Sequence, residues 1–254
     1  MHEHILVTNE GPFRVITMNR GAKRNSLTMD HLQELHEALS AAGTDVSVTG
    51  IIIAANGPAF SAGHDFHEMQ GMDQTEAEDL FNFCSDFMQL ISSVPQPVIA
   101  QVDGIATAAG CQLMASCDLV VAADTAHFQT PGGKGAIFCS TPGVALSRNI
   151  GRKRAMEMLL TGDPIDAATA LSWGLINRAV PADQVANVTR ELLGRATRGS
   201  RSSTSVGKRA TYAQMNLPTE SAYPVASQAM ADETQTRDGQ EAMAAFIEKR
   251  RAEF

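Results

Sequence analysis

Two short segments place backbone amides where they could do chemistry. Residues 59–69 (AFSAGHDFHEM) follow a buried apolar stretch, and their Ser-Ala-Gly run allows a sharp turn and a close approach to a ligand. In residues 103–118 (DGIATAAGCQLMASCD), Ala109 lies where we predict a helix to begin, so that free N–H groups favour negative charge. Two such amides on one carbonyl oxygen would stabilise an oxyanion. An ordinary strand-to-helix connection and tight packing of small residues explain the same patterns.

The first segment also carries an HxxH pair, His64 and His67, beside Asp65 and Glu68. On a helix this spacing puts two imidazoles on one face. No third ligand stands at a suitable spacing, so we predict no metal site. His64 is the better candidate for a hydrogen-bond donor or acid, because the imidazole pKa lies near neutral pH.

Composition narrows the class of protein. The chain has 254 residues, 44% of them hydrophobic and 19% charged, which is typical of a globular protein with a substantial core. The formal net charge of −8 disfavours nucleic-acid binding, which depends on neutralising phosphates. An anionic ligand would need local cations or helix N-termini.

The cysteines and the lengths of the apolar runs indicate in which cellular compartment the protein is expected. Four cysteines, without CxxC spacing, are expected to be reduced thiols in the core or a pocket. The first ten residues lack the features of a secretory signal, and no apolar run reaches the roughly 20 residues of a membrane span. We therefore expect a cytoplasmic protein with no membrane partner.

Hydrophobic periodicity predicts alternating strands and helices up to about residue 180, with crossovers long enough for parallel pairing, and only helices afterwards. The predicted strands are residues 5–8, 13–18, 50–55, 98–102 and 119–122. The predicted helices are residues 28–42, 76–92 and 239–254, with a further helix beginning in residues 106–115. Residues 199–207 (GSRSSTSVG) have the composition of a linker.

These motifs, in this order, resemble the enoyl-CoA hydratase/isomerase (crotonase) superfamily over nearly the whole chain. The resemblance runs through MNRGAKRNSL, AFSAGHD, VDGIATAAGC, CDLVVAAD, AMEMLLTGDPI and GQEAMAAFIEKRR. Within the superfamily, the combination of GHD, ATAAGCQL and FCSTPGVAL looks most like the enoyl-CoA hydratase domain-containing protein 3 group.

The resemblance implies an α/β fold in which residues 1–198 form a spiral of ββα units with the acyl-CoA site. It implies that residues 199–254 form a helical region that builds a homotrimer or a dimer of trimers. Coenzyme A enters as part of the substrate, and no permanently bound cofactor is expected.

The resemblance also assigns roles to individual residues. The oxyanion hole would use the backbone N–H groups of His64 and Ala109. Coenzyme A would contact Arg24 through its phosphates and would lie in a groove lined by Ala62 and Asp65. The residues expected to reach a neighbouring subunit's coenzyme A are Phe246 and Lys249.

Two positions depart from the pattern of hydratases, which hold the attacking water with two glutamates. Gln112 and Gly132 stand at those positions. An amide cannot exchange a proton at neutral pH and glycine has no side chain, so hydration should be crippled while the oxyanion hole survives. The segment from Gly132 onwards is also longer than in typical hydratases, which makes Cys139, Ser140 and Thr141 candidate pocket residues.

Three functions remain open on the sequence. The first is an acyl-CoA lyase or isomerase that retains the oxyanion hole. The second is a decarboxylase of a malonyl-type CoA, because FSAGHDFHE resembles the same segment of a methylmalonyl-CoA decarboxylase and His64 could orient the leaving carboxylate. The third is a CoA-thioester binder without catalysis.

Overall fold

A computed structural model describes residues 2–254. A six-stranded sheet has the order β1-β2-β3-β5-β7-β10, and a four-stranded sheet has the order β4-β6-β8-β9. The strands are β1 Ile5–Glu10, β2 Phe13–Met18, β3 Gly50–Ala55, β4 Ala59–Ser61, β5 Val98–Val102, β6 Ile105–Thr107, β7 Leu119–Ala123, β8 His127–Gln129, β9 Ile165–Asp166 and β10 Arg178–Val180. The helices are α1 Met29–Thr44, α2 Phe66–Met69, α3 Gln74–Ser93, α4 Ala109–Ser116, α5 Ser140–Thr161, α6 Ala167–Trp173, α7 Val185–Ala196, α8 Arg201–Gln214, α9 Thr219–Thr234 and α10 Arg237–Glu248.

Three successive ββα units build the spiral. Each unit contributes its first strand (β3, β5, β7) to the large sheet and its second strand (β4, β6, β8) to the small one, and a helix then returns the chain. Within each sheet these strands pair in parallel, which stacks the three strand-to-helix junctions at one edge of the small sheet. The predicted α/β spiral with C-terminal helices is confirmed.

The core explains why the central strands are mainly apolar and do not alternate between apolar and polar residues. Ile51, Ile52 and Ile53 are all buried, because helices cover both faces of the parallel sheet. Helices α1 and α3 begin at residues whose side chains accept hydrogen bonds from the free backbone N–H groups of the first turn. The Thr28 side chain caps α1, and Asp73 and Glu76 form a reciprocal capping box at the start of α3.

Several predicted boundaries need correction. The first strand extends to Glu10, α1 continues through Gly43 to Thr44, and α10 stops at Glu248 where Lys249 adopts a left-handed conformation (φ 56°). Residues 105–107 form β6, so the helix starts only at Ala109.

The predicted linker at 199–207 is wrong. Residues 201–207 form the first half of α8, which the Ser200 hydroxyl caps. Small polar residues are tolerated there because α8 is anchored by tertiary contacts. Lys208 Nζ lies 2.7 Å from Asp118 Oδ2, and the Tyr212 hydroxyl donates to Asp118 Oδ1 at 2.7 Å. Asp118 thus joins the C-terminal helices to the spiral.

Candidate functional site

The first junction, between β4 and α2, exposes the backbone amide of His64. Leu27 N–H donates to the Gly63 carbonyl at 2.8 Å, and Asp65 N–H donates to the Leu27 carbonyl at 3.3 Å. In a parallel bridge of this kind, the intervening residue points its own N–H to the other side. Within residues 2–254 the His64 N–H has no acceptor. It is therefore available to a ligand.

The second junction, between β6 and α4, brings another amide to the same place. Ala109 is the first residue of α4, so its N–H has no acceptor within the helix. A Cβ built on Gly63 would lie 3.1 Å from Ala109 N and 2.9 Å from Ala108 Cβ, which shows how closely the two junctions pack. The backbone at Gly63, directly before His64, thus packs against the first residue of α4.

Backbone strain accompanies this arrangement. Ala108 has φ 50° and ψ −120°, a conformation that costs a non-glycine residue of order 1–3 kcal/mol. Gly63 has φ +82°. A Cβ on Gly110 would overlap the Ser61 carbonyl oxygen and lie 2.6 Å from Ser61 Cβ, so only glycine lets α4 approach β4 this closely.

A chain of buried hydrogen bonds braces the first junction. The Asn25 side chain donates to the carbonyls of Asn56 (2.9 Å) and Ala59 (2.8 Å). The Ser61 hydroxyl donates to the Asn25 carbonyl at 2.8 Å and accepts from Gly63 N–H at 3.2 Å. The residue before His64 is thereby tied to a fully buried asparagine. From the sequence, Ser61 is expected only to allow a sharp turn, whereas its hydroxyl also makes these two hydrogen bonds.

The His64 side chain has an unusual environment. Its ring packs edge-on against Phe81, with centroids 5.2 Å apart, and both ring nitrogens are buried without a hydrogen-bond partner. Burial lowers the pKa of His64, so the imidazole is neutral at pH 7. Sequence reasoning missed Phe81, which α3 brings against His64.

The HxxH pair does not share a helical face. His64 precedes α2, which starts at Phe66, and the exposed His67 donates its backbone N–H to the Asp65 carboxylate at 3.0 Å. In the part of the chain that the structure describes, no three His, Cys, Asp or Glu side chains are arranged to hold a metal ion.

Gln112 lies one helical turn beyond Ala109 on α4. Its side chain is buried (4% exposed), and its Oε1 has no hydrogen-bond partner among residues 2–254. Two hydroxyls at the ends of the paired strands β6 and β8 are also buried without a hydrogen-bond partner. They belong to Thr107, at the end of β6, and Thr130, just after β8. Polar groups buried without partners are rare in folded proteins, so these atoms mark a place where a ligand or water completes the hydrogen bonding.

The third junction, between β8 and α5, leaves no room for a side chain at Gly132. A Cβ there would overlap the Ile137 carbonyl oxygen and lie 2.7 Å from Cys139 Sγ. The Gly132 N–H donates to Cys139 Sγ at 3.3 Å, and burial raises the pKa of the Cys139 thiol. Cys139 is therefore a neutral thiol that holds this turn together rather than a nucleophile. A glutamate at position 132 would require a different backbone.

The residues assigned to coenzyme A divide into three groups. Arg24 and Ala62 lie together, because Ala62 N–H donates to the Arg24 carbonyl at 2.9 Å, and the Arg24 side chain is exposed. Asp65 is already engaged: the Ser26 hydroxyl donates to its Oδ2 at 2.8 Å, and this lowers the pKa of Asp65. Phe246 on α10 and Lys249 directly after it are exposed, and α10 packs on α8 and α9 rather than on the junctions.

Comparison with known proteins agrees with this geometry. The profile of the enoyl-CoA hydratase/isomerase family matches residues 9–254. The chain belongs to the enoyl-CoA hydratase/isomerase family. A solved enoyl-CoA hydratase from Mycobacterium smegmatis superposes with a TM-score of 0.96 at 42% identity, covering 99% of this chain and 98% of that one. The solved human enoyl-CoA hydratase domain-containing protein 3 gives a TM-score of 0.96 at 40% identity, covering 99% and 100%.

Relatives of this enoyl-CoA hydratase/isomerase family member also bear on its location. The chain is 42% identical over 247 residues to "Enoyl-CoA hydratase domain-containing protein 3, mitochondrial" of Danio rerio, covering 97% of this chain and 86% of the relative. The Homo sapiens protein of the same name is 44% identical over 243 residues, covering 94% and 79%. The names of these relatives contradict the cytoplasmic expectation, which is wrong. In residues 2–254 we find no helix of the length and apolarity that a membrane crossing requires.

Proposed function

We propose that this family member acts on acyl-CoA thioesters by stabilising a thioester enolate with the backbone amides of His64 and Ala109. The observation that carries this proposal is the close packing of Gly63 on Ala109, because the two unpaired amides border this contact. A preorganised donor of this kind is worth about 10²–10³ in rate, because charge develops on the carbonyl oxygen only in the transition state.

Classical hydration is disfavoured by the same site. Hydration needs a group that takes a proton from water and one that returns it. Gln112 offers an amide, and Gly132 has no side chain and no space for one. Each lost acid or base is worth about 10²–10⁴ in rate. The supported chemistry is therefore one in which the enolate forms without these two carboxylates.

Decarboxylation of a malonyl-type CoA is the second candidate, and the His64 side chain favours it. In that reaction the C–C bond to the carboxylate breaks, its electron pair moves onto the thioester carbonyl, and carbon dioxide leaves. Solvent then protonates the enolate carbon. A neutral imidazole with two unpartnered nitrogens could orient the carboxylate through one N–H, and the adjoining Phe81 ring favours its conversion to uncharged carbon dioxide.

Binding of the coenzyme A portion is proposed at Arg24 and Ala62, with no permanently held cofactor. An exposed cation beside the first junction would attract phosphates despite the net charge of −8. Asp65 is proposed to shape this groove through its backbone and its contact with Ser26 rather than to touch coenzyme A.

A homotrimer or a dimer of trimers is proposed as the working assembly. Tyr223, Met230, Phe246 and Ile247 on α9 and α10 are each at least 70% exposed, an extent of apolar surface that favours burial against other subunits. In such an assembly Phe246 and Lys249 would reach a neighbour's coenzyme A. Light scattering of the eluting protein tests this; a monomer at micromolar concentration would contradict it.

Mass spectrometry of thioesters tests the reaction class. The purified chain is incubated with trans-2-enoyl-, malonyl-type and saturated acyl-CoAs. Loss of carbon dioxide from a malonyl-type thioester supports decarboxylation, and migration of the double bond supports isomerisation. Gain of water would overturn the argument from Gln112 and Gly132. Binding without any change in mass would support a CoA-thioester binder instead.

A matched pair of variants tests the His64 side chain. His64→Ala keeps the backbone amide but removes the imidazole, and His67→Ala removes a neighbouring exposed imidazole. Decarboxylation should fall at least tenfold in the first variant and stay unchanged in the second. An unchanged rate in both would remove the imidazole from the scheme.

A further inference from the structure

Two segments that carry proposed binding groups run side by side. Residues 24–29 include Arg24, whose side chain is exposed, and residues 61–68 include His64, whose amide is free. Three backbone hydrogen bonds join the segments: Ala62 N–H to the Arg24 carbonyl (2.9 Å), Leu27 N–H to the Gly63 carbonyl (2.8 Å) and Asp65 N–H to the Leu27 carbonyl (3.3 Å). The Arg24 cation and the His64 amide therefore belong to one hydrogen-bonded pair of segments.

Two carboxylates strengthen the link between the segments. The Ser26 hydroxyl donates to Asp65 Oδ2 at 2.8 Å. The Asp65 carboxylate also accepts from His67 N–H at 3.0 Å, which caps α2. Met29 N–H, in the first turn of α1, donates to Glu68 Oε1 at 3.1 Å. A displacement of one segment must therefore displace the other or break these bonds.

The Arg20 side chain lies across this pair of segments. Its Nη1 donates to the Ser26 carbonyl at 2.7 Å and to the Thr28 hydroxyl at 3.1 Å. Its Nη2 lies 3.9 Å from Asp65 Oδ2, and the two side chains are only 17% and 12% exposed, so solvent screens their attraction weakly. One planar guanidinium thus contacts both segments at once, which a compact ammonium group cannot reproduce.

The backbone of Arg20 holds the turn that carries Arg24. Arg20 N–H donates to Asn25 Oδ1 at 2.8 Å, and Asn25 N–H donates to the Arg20 carbonyl at 3.0 Å. Both Arg24 and the fully buried Asn25 have φ 51°. Left-handed conformations at non-glycine residues persist only where surrounding contacts hold them. Arg20 therefore contacts this turn with its backbone and the paired segments with its side chain.

We propose that Arg20 is a positioning residue that sets the His64 amide relative to the Arg24 cation. The inference rests on the proposed function, in which Arg24 binds the phosphates of coenzyme A and the His64 amide binds the thioester carbonyl. Arg20 acts through Ser26 and Asp65 rather than by touching the thioester. A ligand that spans both points needs a fixed separation between them, and a misplacement of about 1 Å costs about 10²-fold in rate.

A matched pair of variants isolates this role. Arg20→Gln removes the guanidinium from the paired segments. Arg14 lies on β2, where it pairs with Asp45 at 3.0 Å, and its side chain is 15% exposed, close to the 17% of Arg20. Arg14→Gln therefore removes a similarly shielded guanidinium from beside a carboxylate elsewhere in the fold. Arg20→Lys keeps the charge beside Asp65 but loses the planar pair of donors.

The experiment records the infrared spectrum of butyryl-CoA, isotope-labelled at its carbonyl carbon, bound to the full chain. Hydrogen bonds at the carbonyl oxygen favour its polarised form and so lower the C=O stretching frequency, which should fall on binding to the wild type. Arg20→Gln should lose at least half of this shift, Arg20→Lys should recover part of it, and Arg14→Gln should keep it. Calorimetry with coenzyme A alone should give dissociation constants within about threefold in all four proteins, because each retains Arg24.

The outcomes separate the inference from the proposed function. If no thioester binds the wild type, or if butyryl-CoA binds without a lowered carbonyl frequency, the proposed function fails and the inference fails with it. If the wild type shows the shift and Arg20→Gln keeps it, Arg20 is not a positioning residue, while the proposed function stands. An equal loss in Arg14→Gln would also overturn the inference, since it would reflect a general loosening of the fold. A fall of more than about tenfold in the affinity of Arg20→Gln for coenzyme A would assign Arg20 to the phosphate contact instead.

Discussion

The second and third strand-to-helix junctions of the spiral belong to the same kind of ββα unit, but they differ in whether a backbone amide is free to bind a ligand. At the second junction, Gly110 lets α4 pack closely against Ser61, and the Ala109 N–H has no acceptor within the helix. At the third, the chain after Thr130 folds onto itself, so that the Gly132 amide is taken up by Cys139 Sγ and the Ile137 carbonyl fills the place of a side chain.

This difference separates two kinds of chemistry. The first two junctions keep what the backbone supplies, namely fixed dipoles that stabilise a developing oxyanion. At the third junction Gly132 offers no side chain that could hold a water and move its proton. Under the proposed function, this chain would form an enolate at the first two junctions without adding water at the third.

Displacing the retained amides should have the largest effect. Gly63→Ala puts a Cβ 2.9 Å from Ala108 Cβ at a residue with φ +82°, which forces the His64 and Ala109 amides apart. We expect turnover of the thioester substrate to fall about 10²–10³-fold, or about 2.7–4 kcal/mol in barrier height. Steady-state kinetics measures this. Gly11→Ala, also at positive φ (+57°) but in open space, should leave turnover unchanged.

Acid should lower the free energy of unfolding through His31, which lies near the first junction. Burial lowers the pKa of His31 to about 4, and its Nδ1 lies 3.1 Å from the Ser26 carbonyl, next to the hydroxyl that holds Asp65. Since the unfolded chain binds this proton at higher pH than the native one, stability is present above pH 6.5 and is lost as pH falls towards 4. The loss attributable to His31 is about 3 kcal/mol.

Urea denaturation at several pH values measures that loss. His31→Gln keeps a donor for the Ser26 carbonyl but does not titrate in this range. It should show a correspondingly shallower fall between pH 6.5 and 4. An identical pH profile in both proteins would contradict the assignment.

Adding a side chain to the third junction tests the other half of the comparison. Gly132→Ala should cost about 1–3 kcal/mol of stability, because its Cβ overlaps the Ile137 carbonyl. Gly135→Ala, three residues further on and with nothing within 4 Å, is the control and should change stability little. Urea denaturation compares the two.

The same overlap predicts that hydratase glutamates cannot simply be restored. Gln112→Glu combined with Gly132→Glu should show no hydration of an enoyl-CoA. Appearance of hydration would mean that the turn after Thr130 rearranges readily. It would contradict the conclusion that the third junction has no room for a glutamate side chain.

The smallest effect is expected from removing the Ser61 hydroxyl, which hydrogen-bonds the backbone next to His64. Ser61→Ala leaves the Gly63 N–H and the Asn25 carbonyl without this buried partner, at a cost of about 1–3 kcal/mol in stability. Turnover should fall by up to about tenfold, with kcat affected more than KM, since the thioester still binds. Ser61→Thr, which retains a hydroxyl, should recover most of the loss.

Many strands and helices of the spiral could be predicted from the sequence, because they depend on local patterns of apolar and capping residues. The mainly apolar strands Gly50–Ala55 and Val98–Val102 have the bounds that periodicity predicts, and the capping residue Thr28 marks the start of α1. The two amide-bearing segments were likewise found from small residues directly after strands. Helix α8 was missed, because its small polar residues are held by Lys208 and Asp118, which are 90 residues apart.

The sequence by itself determined the composition of each junction: which residues have no side chain, which carry a titrating group, and that no glutamate stands at positions 112 and 132. Only the tertiary structure decided that Gly63 lies against Ala109, that Gly132 has no room for a glutamate, and that the Arg20 side chain lies across residues 24–29 and 61–68. These facts depend on distances between segments far apart in the chain. Local propensity does not encode such distances, and close packing fixes them.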